Sequence, residues 1–319
     1  MAMDGRSPHS NPASMDDLEA RFKDWALARP DVRALVVVGS RARDDHPADE
    51  WADLDLGMVT RDPQRYTAGP GWLSEIAEPW VVHRDHVGIT WHVLFDGGLD
   101  AGVAPLPATT LRYASWVLPK LRKRPWLRRL VPAPLRRRLD DAEHELAAYC
   151  GRGVRVLLDK DGQATRLFAI MPAAQQATAA TIDEFRAVVD EFWFLAVWYA
   201  KHLRRGELWH AKTVAGDGRM KTLLLQMIEW HAQVTLGVDT WSDGRFLEEW
   251  ADPRARNALA ATFARYDLAD LWRGGMATLD LFRLLARETA AELGYAYPDD
   301  TDARITAWML RCRPAGVQG

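Results

Sequence analysis

The chain has 319 residues, 48% of them hydrophobic, which is enough for two domains that each have a core of their own. Its formal net charge of -3 argues against a general nucleic-acid-binding protein, because binding to phosphates needs a basic surface. No apolar run in the sequence reaches the length of a membrane span, which argues against a membrane partner.

The cysteines and the N-terminus favour a cytoplasmic protein. Cys150 and Cys312 are the only two cysteines and do not have the spacing of metal ligands, and so few thiols are not typical of a disulfide-stabilised secreted protein. Residues 1–15 lack the continuous apolar stretch of a signal peptide, and we expect them to form a disordered tail.

The predicted elements change character along the chain. Residues 16–29 place apolar side chains at helical spacing and end before Pro30, which predicts a first helix. Strands are predicted at 34–38, 54–60, 80–83, 90–95, 99–106 and 153–158. From residue 181 onward the apolar residues recur with a helical period. The predicted fold class is therefore α+β, with a mixed sheet and flanking helices in residues 16–160 and a helical bundle in residues 165–313.

One stretch, "VVVGSRARDDHPADEWADLDLG", combines two features of a nucleotide site. Successive strand residues point to opposite faces, so Asp53 and Asp55 share one face while the leucines between and after them face the core. Two neighbouring carboxylates repel each other unless a cation lies between them, and Mg²⁺ prefers one or two carboxylates together with water and phosphates. Glycine at Gly39 lets backbone N–H groups beside Ser40 approach phosphate oxygens, and Arg41 adds positive charge.

Each half of this pattern has a simpler interpretation when it is taken alone. Gly-Ser after a strand is a common turn, and an isolated Asp-Leu-Asp is most often a solvated strand end. Their combination on two successive strands is more specific than either half.

The chain resembles the polymerase-β-like nucleotidyltransferases, and within them the aminoglycoside 6-adenylyltransferase (streptomycin adenylyltransferase) family. The similar segments include "ALVVVGSRAR", "WADLDLGMVT", "VLFDGGLDAGVAPLP", "RVLLDKDG", "DEFWFLAVWYAKHLRRGEL" and "DGRFLEEW", in that order. The resemblance implies that residues 16–160 are a nucleotidyltransferase domain and that residues 165–313 bind the acceptor. It also implies a reaction: transfer of AMP from ATP, with Mg²⁺, to a hydroxyl of a cationic aminoglycoside, with release of pyrophosphate.

The resemblance also implies roles for individual residues. Asp53 and Asp55 are expected to hold Mg²⁺, and Gly39, Ser40 and Arg41 to contact the nucleotide. In the helical half, Asp190, Glu191 and Trp193 are expected to bind the acceptor, and Lys201 to reach the triphosphate. The alternatives are that Trp193 is a core residue and that Glu191 is a capping or solvent-exposed residue near a helix start.

One position departs from the family pattern. Relatives carry a third acidic residue in a stretch like "LFEGGLxVDFxxLP", and here Gly102 stands at that place. The nearest carboxylate on the same strand face is Asp100, which replaces the missing acid only if a bulge at Ala101-Gly102 brings it closer; otherwise it is a turn residue. The sequence thus leaves two functions open: an active transferase with Asp100 as third catalytic acid, or a degenerate relative that binds ligands without efficient transfer.

Two further features of the sequence do not predict a binding site. The basic stretch 120–139 is interrupted by prolines, and we interpret it as a solvated connection rather than as a surface for nucleic acid or lipid. His202, His210 and His231 do not have the spacing of zinc ligands. The sequence does not predict an oligomeric state.

Overall fold

The computed structural model describes residues 11–43, 45–86, 88–124, 150–169 and 180–314, with isolated positions between 126 and 137. The chain divides into two compact units, Met1–Gln175 and Gln176–Gly319. A mixed sheet with helices makes up the first unit and helices make up the second, so the predicted α+β class is confirmed.

The first unit is built on a six-stranded sheet. The strands are β1 Val32–Val38, β2 Leu54–Thr60, β3 Pro79–Arg84, β4 Trp91–Phe95, β5 Leu99–Pro107 and β6 Arg155–Asp159. The helices of this unit are α1 Met15–Ala28, α2 Pro63–Thr67, α3 Ala108–Lys123 and α4 Gln163–Phe168. The order in the sheet is β3-β4-β5-β2-β1-β6, and β2 and β5 form its parallel pair.

The two faces of the sheet carry different side chains because strand residues alternate. One face packs against α1 in a large core that contains Phe22, Leu54 and Val93. The other face has a smaller apolar cluster at one end, with Val36, Val59 and Ala164 of α4. The other end of this second face is not covered by this cluster and carries polar side chains, among them Asp55 and His92.

Several boundaries differ from the predicted ones for physical reasons. Met15, the last residue of the predicted tail, already belongs to α1, whose first turn is capped by Ser14. Residues 1–10 lie outside the described part of the chain. Helix α3 was not predicted because Pro119, which normally ends a helix, lies inside it. Its last residues are the start of the basic stretch 120–139, most of which is outside the described residues. Helix α4 belongs to the first unit because Ala164 is buried in the sheet cluster.

The second unit contains two long helices, α5 Ile182–Arg204 and α10 Leu268–Leu293. The shorter helices are α6 Leu208–His210, α7 Lys221–His231, α8 Leu247–Trp250, α9 Pro253–Leu259 and α11 Asp299–Cys312. The rings of Phe192 and Phe282 stack between the long helices with centroids 3.6 Å apart. None of the helices in the described part of the chain is long and apolar enough to span a bilayer.

Candidate active site

The Gly39-Ser40 corner follows β1 and is tied to Asp55 of β2 and to Asp53, which directly precedes β2. Gly39 has a φ of +70° and opens a tight turn, Gly39–Ala42. A Cβ atom at this position would lie 2.7 Å from Asp55 Oδ2, so glycine is required both by its backbone and by its neighbour. Ser40 is buried and its hydroxyl donates to Asp53 Oδ1 over 3.4 Å. The two halves of the sequence pattern therefore meet at one place.

Asp53 and Asp55 lie on the face of the sheet opposite the large core. Leu54 and Leu56, which alternate with them, are fully buried in that core, while both aspartates are half-buried. Asp55 pairs with Val38 of β1 on one side and with Gly102 of β5 on the other. The strand alternation predicted from the sequence thus places both carboxylates on the polar end of the second face.

The position of the missing third acid is next to Asp55. A Cβ atom at Gly102 would lie 2.8 Å from Asp55 Oδ1. The pairing of β5 with β4 and with β2 is continuous through Ala101 and Gly102, so the bulge considered for this position is absent. Gly102 therefore leaves space beside Asp55 and does not distort the backbone.

Asp100 is a strand residue two positions before Gly102, so its interpretation as a turn residue is also wrong. It lies beside Asp53: burial raises the pKa of the Asp100 carboxyl, the negative charge of Asp53 raises it further, and His92 and His83 oppose the increase. A bound cation would relieve the repulsion between Asp53 and Asp100.

Two histidines border the site and were missed by the sequence analysis. His92 on β4 pairs with Gly102, and His83 on β3 pairs with His92. Their rings stack with centroids 5.0 Å apart and an interplanar angle of 14°. The alternation in "WHVLF", in which Trp91 and Phe95 are buried, was a signal that His92 faces the other side.

The donor set suits a hard divalent cation. Asp53 and Asp55 supply carboxylates, the hydroxyl of Ser40 lies beside Asp53, and the missing side chains at Gly39 and Gly102 leave space around Asp55. In the described part of the chain, no three His, Cys, Asp or Glu side chains form a ready-made metal cage. Mg²⁺ does not need one, because it keeps several waters and also binds substrate phosphates.

Comparison with known proteins defines the family. The sequence model of the streptomycin adenylyltransferase family matches residues 14–93 and 136–312, which is most of the chain. The chain belongs to this family. It is 22% identical over 292 residues to an aminoglycoside 6-adenylyltransferase of Bacillus subtilis (strain 168), covering 87% of this chain and 90% of the relative. It is 21% identical over 292 residues to an enzyme of the same name from Campylobacter jejuni, covering 88% and 89%.

A solved structure also aligns with the chain. The crystal structure of an aminoglycoside 6-adenyltransferase from Bacillus subtilis aligns with 94% of this chain and 98% of its own, with 19% identity and a TM-score of 0.42.

The family match leaves out residues 94–135, which contain Asp100 and Gly102. The departure from the streptomycin adenylyltransferase pattern therefore falls in a segment that the family model does not cover.

Arg41 is directed at α1 in this structure. Its guanidinium is paired with Asp16, and its Nε lies 3.9 Å from Glu19 Oε2, both on α1. A contact between Arg41 and a nucleotide would require this arrangement to change. The residue stabilises the packing of the Gly39–Ala42 turn against α1.

The residues that the streptomycin adenylyltransferase family leads us to expect at the acceptor, and Lys201, expected at the triphosphate, lie on α5 of the second unit. Asp190 and Lys201 are exposed, and Glu191 is paired with Arg219. Trp193 is 1% exposed and belongs to the core of this unit, where the guanidinium of Arg283 lies over its ring. Trp193 therefore has no free face for a sugar ring, and the alternative interpretation as a core residue is the better one.

Proposed function

We propose that this chain is a Mg²⁺-dependent nucleotidyltransferase that moves AMP from ATP to a hydroxyl of an aminoglycoside-like, streptomycin-type acceptor. The observation that carries the proposal is the placement of Asp53 and Asp55 on one strand face next to the Gly39-Ser40 corner. The names of the relatives, aminoglycoside 6-adenylyltransferases, support the class of acceptor.

The residues of the first unit have separate tasks in this proposal. Asp53 and Asp55 would hold the cation, which when bound neutralises charge on the attacking and leaving oxygens of an in-line displacement. The backbone at Gly39 approaches the triphosphate because no side chain blocks it, and Ser40 orients Asp53 through its hydroxyl. Asp100 is proposed to act on the Asp53 side of the site, where its carboxylate adds to the negative charge that a cation would neutralise, and not in the space over Gly102.

The second unit supplies charge for the acceptor. An aminoglycoside is a polycation, so carboxylates are the groups suited to bind it. We propose Asp190 and Glu191 for this role. Glu191 would exchange its pairing with Arg219 for an ammonium group of the acceptor. Lys201 is proposed to contact the triphosphate, as its exposed position allows.

A second candidate function follows from Gly102. A relative that has lost the third acid can keep its nucleotide site and bind ATP or an acceptor without efficient transfer. We keep this degenerate-binder alternative because the position next to Asp55 carries no side chain.

The deciding experiment measures transfer directly. The protein is incubated with ATP, Mg²⁺ and a panel of aminoglycosides that includes streptomycin, and pyrophosphate release is followed. We expect release that requires an aminoglycoside and disappears in Asp55→Asn. Binding of ATP without any release would favour the degenerate binder, and labelling of protein or nucleic acid in place of aminoglycosides would overturn the proposed acceptor.

A further inference from the structure

A row of four residues crosses the polar face of the sheet. Asp55 of β2 pairs with Gly102 of β5, Gly102 pairs with His92 of β4, and His92 pairs with His83 of β3. Partners in neighbouring strands point to the same face, so the row has a carboxylate at one end, two imidazoles at the other and an empty position between them.

The empty position is bordered by the imidazole of His92. A Cβ atom at Gly102 would lie 2.8 Å from Asp55 Oδ1 and 3.8 Å from both Nδ1 and Cε1 of His92. Asp55 and His92 themselves belong to strands two apart, about 10 Å between backbones, so they face each other across this space. A group placed over Gly102 would contact both side chains.

The ring of His92 is held in place by its neighbour. His83 stacks on it nearly parallel, and Nδ1 of His83 lies 3.1 Å from the carbonyl oxygen of Arg84, which fixes the orientation of the supporting ring. Asp100 does not reach the same space as directly, because the continuous register keeps it two residue pairs away, opposite Leu94. The side chain best placed to act over Gly102 is therefore His92.

We propose that His92 is the catalytic residue that accepts the proton of the acceptor hydroxyl, in place of the carboxylate missing at Gly102, with His83 as its positioning residue. This inference rests on the proposed function. In the transfer step the acceptor oxygen forms a bond to the α-phosphorus of ATP, and the bond from that phosphorus to the bridging oxygen of pyrophosphate breaks. The electron pair of the broken bond leaves with pyrophosphate, and the hydroxyl proton goes to a ring nitrogen of His92.

The test is His92→Ala assayed with and without added imidazole. We expect kcat for AMP transfer to fall by roughly 10²–10⁴-fold, the usual contribution of one positioned acid-base group. Calorimetric affinity for Mg²⁺ and ATP should stay close to that of the wild type, because His92 is not among the proposed metal ligands. Imidazole in the buffer should restore part of the activity by occupying the vacated space.

Two further variants separate a catalytic role from a structural one. His83→Ala should lose less activity than His92→Ala and should not respond to imidazole, because His92 is still present. His86→Ala, an exposed histidine in the turn between β3 and β4, should behave like the wild type. The melting temperatures of all variants show whether the hairpin remains folded.

The outcomes distinguish this inference from the function on which it rests. If the wild type transfers AMP and His92→Ala transfers it equally well, the role of His92 is overturned and the transferase stands. A lost activity that imidazole does not restore, together with weakened ATP binding, would make His92 structural and also overturn the inference. A wild type that modifies no acceptor would overturn both.

Discussion

Asp55 and Gly102 are direct neighbours in the parallel pair of β2 and β5, and a side chain at position 102 would touch the Asp55 carboxylate at 2.8 Å. A carboxylate added at this position would thus lie within one cation's reach of Asp55. The same position borders His92, so two different groups can serve this space. This relationship allows the role of the missing acid to be tested by restoring it.

Gly102→Asp should restore transfer in a His92→Ala background. The added carboxylate enters the space over β5 and can accept the hydroxyl proton, so we expect a gain of about tenfold or more over His92→Ala alone. In the wild-type background the gain should be smaller, because His92 is present. Gly102→Asn is the matched control, equal in size but uncharged, and rates are compared by pyrophosphate release. Equal rates for the Asp and Asn variants would contradict a proton-accepting role at this position.

The negative charge added by Gly102→Asp should also lower the thermal stability of the protein. Without a cation, Gly102→Asp brings a second carboxylate against Asp55, so its melting temperature should lie below that of Gly102→Asn. Addition of Mg²⁺ and ATP should narrow this difference. A difference that is unaffected by Mg²⁺ would mean that no cation binds between these side chains.

Gly39→Ala is expected to abolish nucleotide binding beyond its effect on folding. The residue has a φ of +70°, which costs a side chain about 1–2 kcal/mol, and its Cβ would press on Asp55 Oδ2 at 2.7 Å. Gly98→Ala is the matched control, since Gly98 has a φ of +73° but no atom within 4 Å of the added Cβ. Both variants should lose stability in thermal unfolding because of the positive φ, and Gly39→Ala should lose more because its Cβ also presses on Asp55. Only Gly39→Ala should lose ATP affinity in calorimetry, and equal affinity in the two would show that the corner is not part of the nucleotide site.

Asp53→Asn and Asp55→Asn should remove the metal-dependent part of ATP binding. Each substitution keeps the side-chain shape but leaves the cation short of a charged ligand. Titrations of ATP with and without Mg²⁺ should show a large Mg²⁺ effect for the wild type and little for either variant. Asp24→Asn, at an exposed position of α1, serves as the control for the loss of one negative charge. Wild-type Mg²⁺ dependence in both site variants would disprove the assignment.

The sequence predicted the strands of the site and the faces of their side chains, but not which strands pair with each other. The alternation that separates Leu54 from Asp55 is local, so both the strand and the faces of its side chains could be inferred. The parallel pairing of Asp55 with Gly102 joins residues far apart in the chain, and no local pattern encodes it. For that reason His92, which lies next to Gly102, and His83, which lies next to His92, were not recognised as part of the site.

The structure decided between the alternative roles of Gly102 and Trp193. Gly102 suggested a bulge, but the strand is regular and the glycine instead leaves space beside Asp55. Trp193 shares a helix face with Val189 and Ala196, all buried, and this spacing already indicated the core. The expected contact with the acceptor came from the family resemblance, which identifies a helix more reliably than each of its faces.

Glu229 on α7 is a partly buried carboxyl group. Its pKa is raised to about 7 by burial and, to a lesser extent, by the charge of Asp243. In the unfolded chain this carboxyl titrates near its usual value of about 4.5. Between these values the folded state binds more protons than the unfolded state, so stability decreases as the pH rises from about 4.5 through 7.

Glu229→Gln removes this titration while keeping the side-chain shape. After allowance for solvent screening of a partly exposed group, we expect the variant to gain about 1–2 kcal/mol relative to wild type at pH 8. At pH 5, which is only slightly above the unfolded pKa of about 4.5, the difference from this cause should be several times smaller. Asp243→Asn should give a smaller effect of the same sign, since it removes only the second cause, and asparagine tolerates the φ of +58° at that position. Denaturant unfolding at both pH values measures the differences, and a gain for Glu229→Gln that is the same at pH 5 and pH 8 would show that the ionisation of this carboxyl does not limit the stability of the helical unit.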